Sequence, residues 1–187
     1  MNGDMPARQW YTLDDVGTRG AATGAPLGRS VLIEAVSAGA FHDSVALTYS
    51  REPGMRAHYH FAGWVERPSR RIANLLERRL AERGRFTSVA QSTTGVRGDL
   101  LLRLTLNDAY HDLSVSPGVA RVLVTAELID WRDRRLVGRR EFAAQGPVRA
   151  EDAAAAVRGF RETVADLLDA IGPWSEALAE QLPPGNR

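Results

Sequence analysis

Cysteine and lysine are both missing from this chain of 187 residues. Without cysteine there can be no disulfide, no thiolate nucleophile and no Cys-ligated zinc. Without lysine there is no P-loop lysine, no Schiff base and no Ser-Lys dyad, so any ATP that drives its work is hydrolysed by another chain. All 24 basic side chains are arginine, a bias best read as codon composition in a GC-rich genome. A net charge of +1 lacks the concentrated basic surface that nucleic acid demands. No apolar run approaches the ~18 residues of a membrane span. Met1 to Gln9 is short and polar, without the apolar stretch of a secretory signal, and taken literally it is a cytosolic start.

Catalytic signatures are equally scarce. No G-x-S-x-G elbow exists, since Ser30 follows Gly28-Arg29 and has no second glycine after it. None of His42, His58, His60 and His111 opens an H-E-x-x-H motif. His58 and His60, two apart on an expected strand, share a face and so could share a metal, but no acidic neighbour completes a site. His42-Asp43 and His111-Asp112 are adjacent pairs whose side chains point apart on a strand. The residues therefore point to no enzyme, no cofactor and no metal.

A hydrophobic content of 44% and a charged content of 25% are those of a globular domain with a full core. We read residues 1–9 as a flexible tether, 10–182 as a single domain and 183–187 as a disordered tail. Gly17 to Gly28 reads as a flexible connection. Ser30 to Ser37 is a strand, and Val45 to Arg51 with Met55 to Phe61 form a hairpin around Pro53-Gly54. Pro68 starts a helix that ends near Gly84, with Ile72, Leu75, Leu76 and Leu80 on one face. Leu100, Leu102, Leu104 and Leu106 alternate with more polar residues, as do Ala120 to Leu128, and a polar turn leads on to Leu136–Ala144. These strands fit an antiparallel meander. Val157, Phe160, Val164, Leu167, Leu168 and Ile171 repeat at the helical period, and Gly172-Pro173 should end or kink that helix near Ile171. Trp174 to Leu182 could add a further helical stretch. The expected fold is α+β: a two-layer domain with a largely antiparallel sheet and two amphipathic helices packed on one face.

Four tryptophans stand out. Trp64, between a strand and a helix, reads first as a plug over the core. Trp131 lies in the charged turn Asp130-Trp131-Arg132-Asp133, where an indole has little to bury against, and suits a partner or membrane-interface contact. Trp10 and Tyr11 could pair the first segment onto the sheet edge or pack between subunits. Trp10, Tyr11, Trp64 and Trp131 are thus the candidate partner or oligomer contacts, with a structural role as the alternative for each.

The ordered series matters more than any single piece. Tyr11-Thr12-Leu13 is followed by Val31-Leu32-Ile33-Glu34, His60-Phe61-Ala62-Gly63-Trp64, the Pro68 helix and Phe86-Thr87-Ser88-Val89. Then come Gly98-Asp99-Leu100-Leu101-Leu102, Leu128-Ile129-Asp130 and Leu136 to Phe142, before the closing helix. Over roughly residues 10 to 175 this order resembles the ABC-type transport auxiliary lipoprotein family, of the paraquat-inducible type. Members accompany MCE (mammalian cell entry) lipid-transport systems in the periplasm. The resemblance implies a signal peptide and a lipidated cysteine upstream of Met1, with anchoring at the outer membrane. It also implies a non-enzymatic role docking to or capping an MCE-domain protein, itself served by an inner-membrane ABC permease and ATPase. Phospholipid becomes a candidate ligand, and a homo-oligomeric ring is expected by analogy with relatives. A stand-alone envelope module that binds a protein or peptide by strand addition is the other reading.

Overall fold

Every second leucine of one strand faces the same way, and the molecule is laid out around that strand. In a computed structural model, described over residues 7–18, 20–39 and 44–183, the chain forms eight strands and two long helices. The strands are β1 (Gln9–Tyr11), β2 (Ser30–Ser37), β3 (Ala46–Ser50), β4 (Ala57–Trp64), β5 (Ser88–Gln91), β6 (Leu100–Asp112), β7 (Val119–Asp130) and β8 (Arg135–Pro147). The helices are α1 (Pro68–Arg83) and α2 (Ala153–Glu180). Leu100, Leu102, Leu104 and Leu106 project from β6 into the core, the last three opposite Leu128, Ala126 and Val124 of β7.

Strands β6, β7 and β8 form the expected antiparallel meander, and β3–β4 the expected hairpin. Around these long ladders the sheet adds shorter parallel pairings that local periodicity does not signal: β2 with β5 and β6, β3 with β6, and β1 with β4. The other edge of β6 is shared. Its first half pairs with β2, and its far end, at His111 and Asp112, pairs with β3. The register shifts between Leu106 and Asp108, and Asn107 at that bulge donates to Thr125 Oγ1 across the ladder at 2.7 Å.

Both helices pack on the sheet, α1 against β2, β5 and β6, and α2 against β7 and β8, and they touch each other. Helix α1 begins at Pro68, whose missing N–H costs nothing in a first turn, and stops at Gly84, which takes φ 68°. Helix α2 departs from expectation. It runs unbroken through Pro173 to Glu180, although the proline forfeits one backbone hydrogen bond. Tertiary contacts hold the last turns: Trp174 meets Phe142 edge-on at 5.4 Å, and Glu176 accepts two bonds from Arg83 at 2.6 and 2.7 Å; within the helix, Ser175 Oγ donates to the Gly172 carbonyl.

The connection read from Gly17 to Gly28 is, where described, pinned onto the domain, and with the preceding residues 12–16 it forms a strap. Leu13 is buried in the core, the Ala22 amide donates to the Arg83 carbonyl, and the Leu27 amide donates to that of Arg85. Asp15 accepts a forked bond from Arg79 (2.5 Å at Nε and at Nη2), and Arg79 also donates to Asp169 of α2. One guanidinium thus ties strap, α1 and α2 together with 6% of its side chain exposed and 2% of Asp15.

Removing one partner of such a pair strands the other charge away from water. Arg79→Met should lower stability by about 3 kcal/mol in urea unfolding. Asp169→Asn, at a side chain 56% exposed, should stay within about 0.5 kcal/mol of wild type.

Candidate functional site

The two ends of the sheet differ in chemistry. At one end, β7 turns into β8 through Trp131, whose amide donates to the Asp99 carbonyl at 2.9 Å. Asp99 is a pin: it accepts from the Ser30 amide (2.8 Å), the Ser30 hydroxyl (2.9 Å) and the Arg132 guanidinium. Burial alone would raise its carboxyl, but these donors outweigh it and hold the pKa below the ordinary 3.8. The turn they fix leaves Trp131 39% exposed, with the Arg134 guanidinium 5.6 Å from its ring. Leu136, paired with Ile129 just beyond the turn, is 52% exposed. The exposure of the indole in this charged turn is what the sequence led us to expect.

At the other end, the helices stop short of the sheet. Strands β3, β4 and β1 extend past the first turn of α2 and leave a cavity of about 480 Å³. Its floor carries the rings of Tyr11, Tyr49 and Tyr59, and its rim carries Arg51, His58 and His60. Tyr49 and Tyr59 lie with centroids 5.0 Å apart. The Tyr59 hydroxyl bonds to Nδ1 of the fully buried His111 at 2.8 Å, and His111 Nε2 lies 3.2 Å from the Pro117 carbonyl. A carbonyl only accepts, so Nε2 carries the proton and donates, while Nδ1 accepts from Tyr59. Gly118 makes room for the imidazole, since a Cβ there would collide with Nε2. Burial pushes the pKa of His111 below 6.5, and burial together with the Asp152 carboxylate pushes Tyr59 up to about 12. The polar atoms of this pair are mutually satisfied and neutral.

The four sequence-derived contact candidates are not brought together. Trp10 sits on β1 opposite Gly63, 52% exposed, with Arg8 stacked 4.7 Å from its ring. Tyr11 is half-buried on the cavity floor. Trp64 is corrected out of the contact set: it is 4% exposed and meets Phe160 of α2 edge-on at 5.6 Å, which is the core-plug reading. His58 and His60 are both exposed, on a strand whose pairing with β3 shifts register. His111 and Asp112 do point apart, His111 into the core and Asp112 towards Ser114 and Arg121. His42 and Asp43 lie outside the described residues. Among the described residues no His, Asp or Glu cluster could hold a metal ion, and no helix is long and apolar enough to cross a membrane. Sequence reasoning missed Tyr49, Tyr59 and Arg51, because only the β3–β4 pairing and the first turn of α2 bring them to one cavity.

The fold is shared with solved structures. A protein from Xanthomonas campestris superposes with a TM-score of 0.83 over 91% of this chain and 97% of its own, at 21% identity. A second protein gives 0.66 at 13% identity over 84% and 98% of the two chains, and a hypothetical protein from Chlamydia trachomatis gives 0.52 at 8% over 87% and 98%. Compared by sequence with curated proteins, the chain has no significant match. The class is an α+β domain of an eight-stranded sheet and two helices. Residues 11–172 match the model of the ABC-type transport auxiliary lipoprotein component, and the chain belongs to that family.

Two measurements follow from the cavity's side chains. EDTA should leave the melting temperature unchanged, because His58 and His60 find no third ligand among the described residues; a large drop restored by zinc would contradict this. The depressed pKa of His111 gives a second. Below pH 6.5 the unfolded chain takes up a proton that folded His111 resists, so its contribution is present above pH 6.5 and is lost as pH falls from there towards the lower folded value. The melting temperature should therefore fall over that interval. His111→Gln, whose amide can still accept from Tyr59 and donate to Pro117, should flatten the dependence.

Proposed function

We propose that this protein is the non-enzymatic, lipid-anchored periplasmic auxiliary component of an MCE-type ABC lipid transporter. It docks to or caps the MCE protein near the outer membrane, and the partner ATPase supplies the energy. The observation that carries this reading is the extent of the family match, 162 residues from 11 to 172, over an intact fold. The polarity of the molecule supports it. Gln9 pairs with Ala62 beside the start of β3, level with about residues 108–109 of β6, whereas Trp131 follows the opposite end of the β6–β7 ladder at Leu100–Asp130. At about 3.3 Å per residue the first strand and the Trp131 turn lie roughly 30 Å apart along the sheet. A lipid anchor upstream of β1 would hold one end of the domain and leave the other to a protein partner.

The strand-addition alternative finds less support. The long edge of β8 carries Arg135, Arg139, Arg140 and Glu141, and charged side chains of this kind guard an edge against promiscuous pairing.

Trp131→Ala tests the docking end. An indole buried by a partner is worth on the order of 2 kcal/mol of binding, and a surface truncation should change folding stability by less than about 1 kcal/mol. Co-purification with a cognate MCE protein should weaken markedly while the thermal midpoint holds. A variant that melts early yet associates normally would make Trp131 a structural residue and remove it from the interface.

A further inference from the structure

We propose that the cavity between the first turn of α2 and the β1–β4–β3 branch binds a single-tailed anionic amphiphile, its tail against the tyrosine rings and its head at Arg51. The floor selects the tail. Tyr59 and His111 satisfy each other's polar atoms, and Tyr49, Phe61, Leu113 and Ala154 supply apolar surface around them. Neither Tyr59 nor His111 carries a charge near neutral pH, so nothing on the floor calls for a polar ligand. A volume of about 480 Å³ suits a small ligand, and the cavity continues the hydrophobic core where the helices no longer cover it.

The rim selects the head. Arg51 reaches over Tyr49 at 5.7 Å, and its ion pair with Glu151 is 3.9 Å long with both side chains about half exposed, at 56% and 43%. Such a pair is weak, so the guanidinium keeps donors for a carboxylate or phosphate. Asp152, the nearer carboxylate on the lining, is occupied as the N-cap of α2, accepting from the Ala155 amide at 2.7 Å. His58 and His60 stand on the same rim. Exposed Phe61 extends the apolar wall outwards beside them. This goes beyond docking to a transport partner and does not depend on it.

The test uses the purified full chain and cis-parinaric acid, a fluorescent long-chain fatty acid, below its micellar concentration. Saturable one-to-one binding is expected, displaced by oleate or by lysophosphatidic acid, whose relative strengths rank a carboxylate head against a phosphate. Ala154→Trp should fill the cavity and weaken binding about tenfold, and Leu113→Trp gives the same test from a different element should the first fail to fold. Arg51→Glu should weaken oleate about fivefold while leaving the neutral monoolein unchanged. Binding that is not saturable, that survives both cavity-filling variants, or that loses oleate and monoolein equally on Arg51→Glu would overturn the proposal. So would loss of probe binding with rising protein concentration, which would assign the cavity to a second copy. Because no partner protein is present, failure here leaves the docking reading intact, and failure of co-purification leaves this one intact.

Discussion

Strand β6 is the element on which the remainder depends, because it is asked to pair with three strands at once. One edge is committed to β7 along its whole length, and the other is divided between β2 and β3. A flat strand could not serve both neighbours in one plane. The bulge at Asn107 falls between the two pairings, and a bulge bends its strand and sharpens the local twist. The sheet accordingly forks there. One branch, β2 and β5, lies under α1; the other, β3, β4 and β1, runs on past the first turn of α2. The cavity is a consequence of that fork, since two helices cannot cover both branches and the meander as well.

The absence of lysine shapes how the layers are fastened. A guanidinium offers a planar fork of five donors, and an ammonium is a compact point charge. Arg79 uses that fork to hold Asp15 and Asp169 together, and Arg83 uses it to grip both oxygens of buried Glu176. Arg85 and Glu180 continue the series at 3.5 Å, so α1 and α2 are joined by a seam of ion pairs along their C-terminal halves. Seams of this type contribute little net stability compared with apolar packing, because burial of each charge has its own cost. Their effect is on register: the carboxylates at 169, 176 and 180 each meet a particular arginine, which fixes how far α2 slides along α1. The same seam explains how α2 passes through Pro173, since the turns beyond it are held from outside the helix.

What could be read in the sequence was whatever is settled by neighbours within a few residues. The alternation of Leu100 to Leu106 and of Ala120 to Leu128 reports two strands half-buried on one face, and Pro68 with Gly84 marks both ends of α1. The Pro53-Gly54 turn, with Gly54 at φ 80°, places the hairpin. Parallel pairing of β2 with β6 joins residues about seventy positions apart, and no local pattern encodes it. The Gly17–Gly28 connection was read as flexible for the same reason, because the carbonyls that pin it, of Arg83 and Arg85, lie about sixty positions away. Trp64 shows the limit for site residues: its position before a helix served a plug and a contact equally well, and only the approach of Phe160 decides. The exposure of Trp131 was legible because its immediate neighbours are charged and its turn is short.

The separation of the two ends has a functional logic that neither end shows alone. A domain held by the anchor proposed upstream of β1 can sweep only the space that anchor permits, and its opposite end projects roughly 30 Å away from the attachment. An apolar residue near the tether meets the local surface at high effective concentration, whereas one at the far end meets only what approaches from outside. Trp10 and Phe61 belong to the first region, and Trp131 with Leu136 to the second. The first region is also where the core lies open and its floor is neutral, so it is suited to small apolar groups. The second is braced from beneath by Asp99, Ser30 and Arg132. A braced, solid turn presents a fixed surface, and fixed surfaces lose little conformational freedom on docking. The chemistry of the two ends is therefore consistent with the proposed division, small-molecule contact on the anchored side and protein contact on the other.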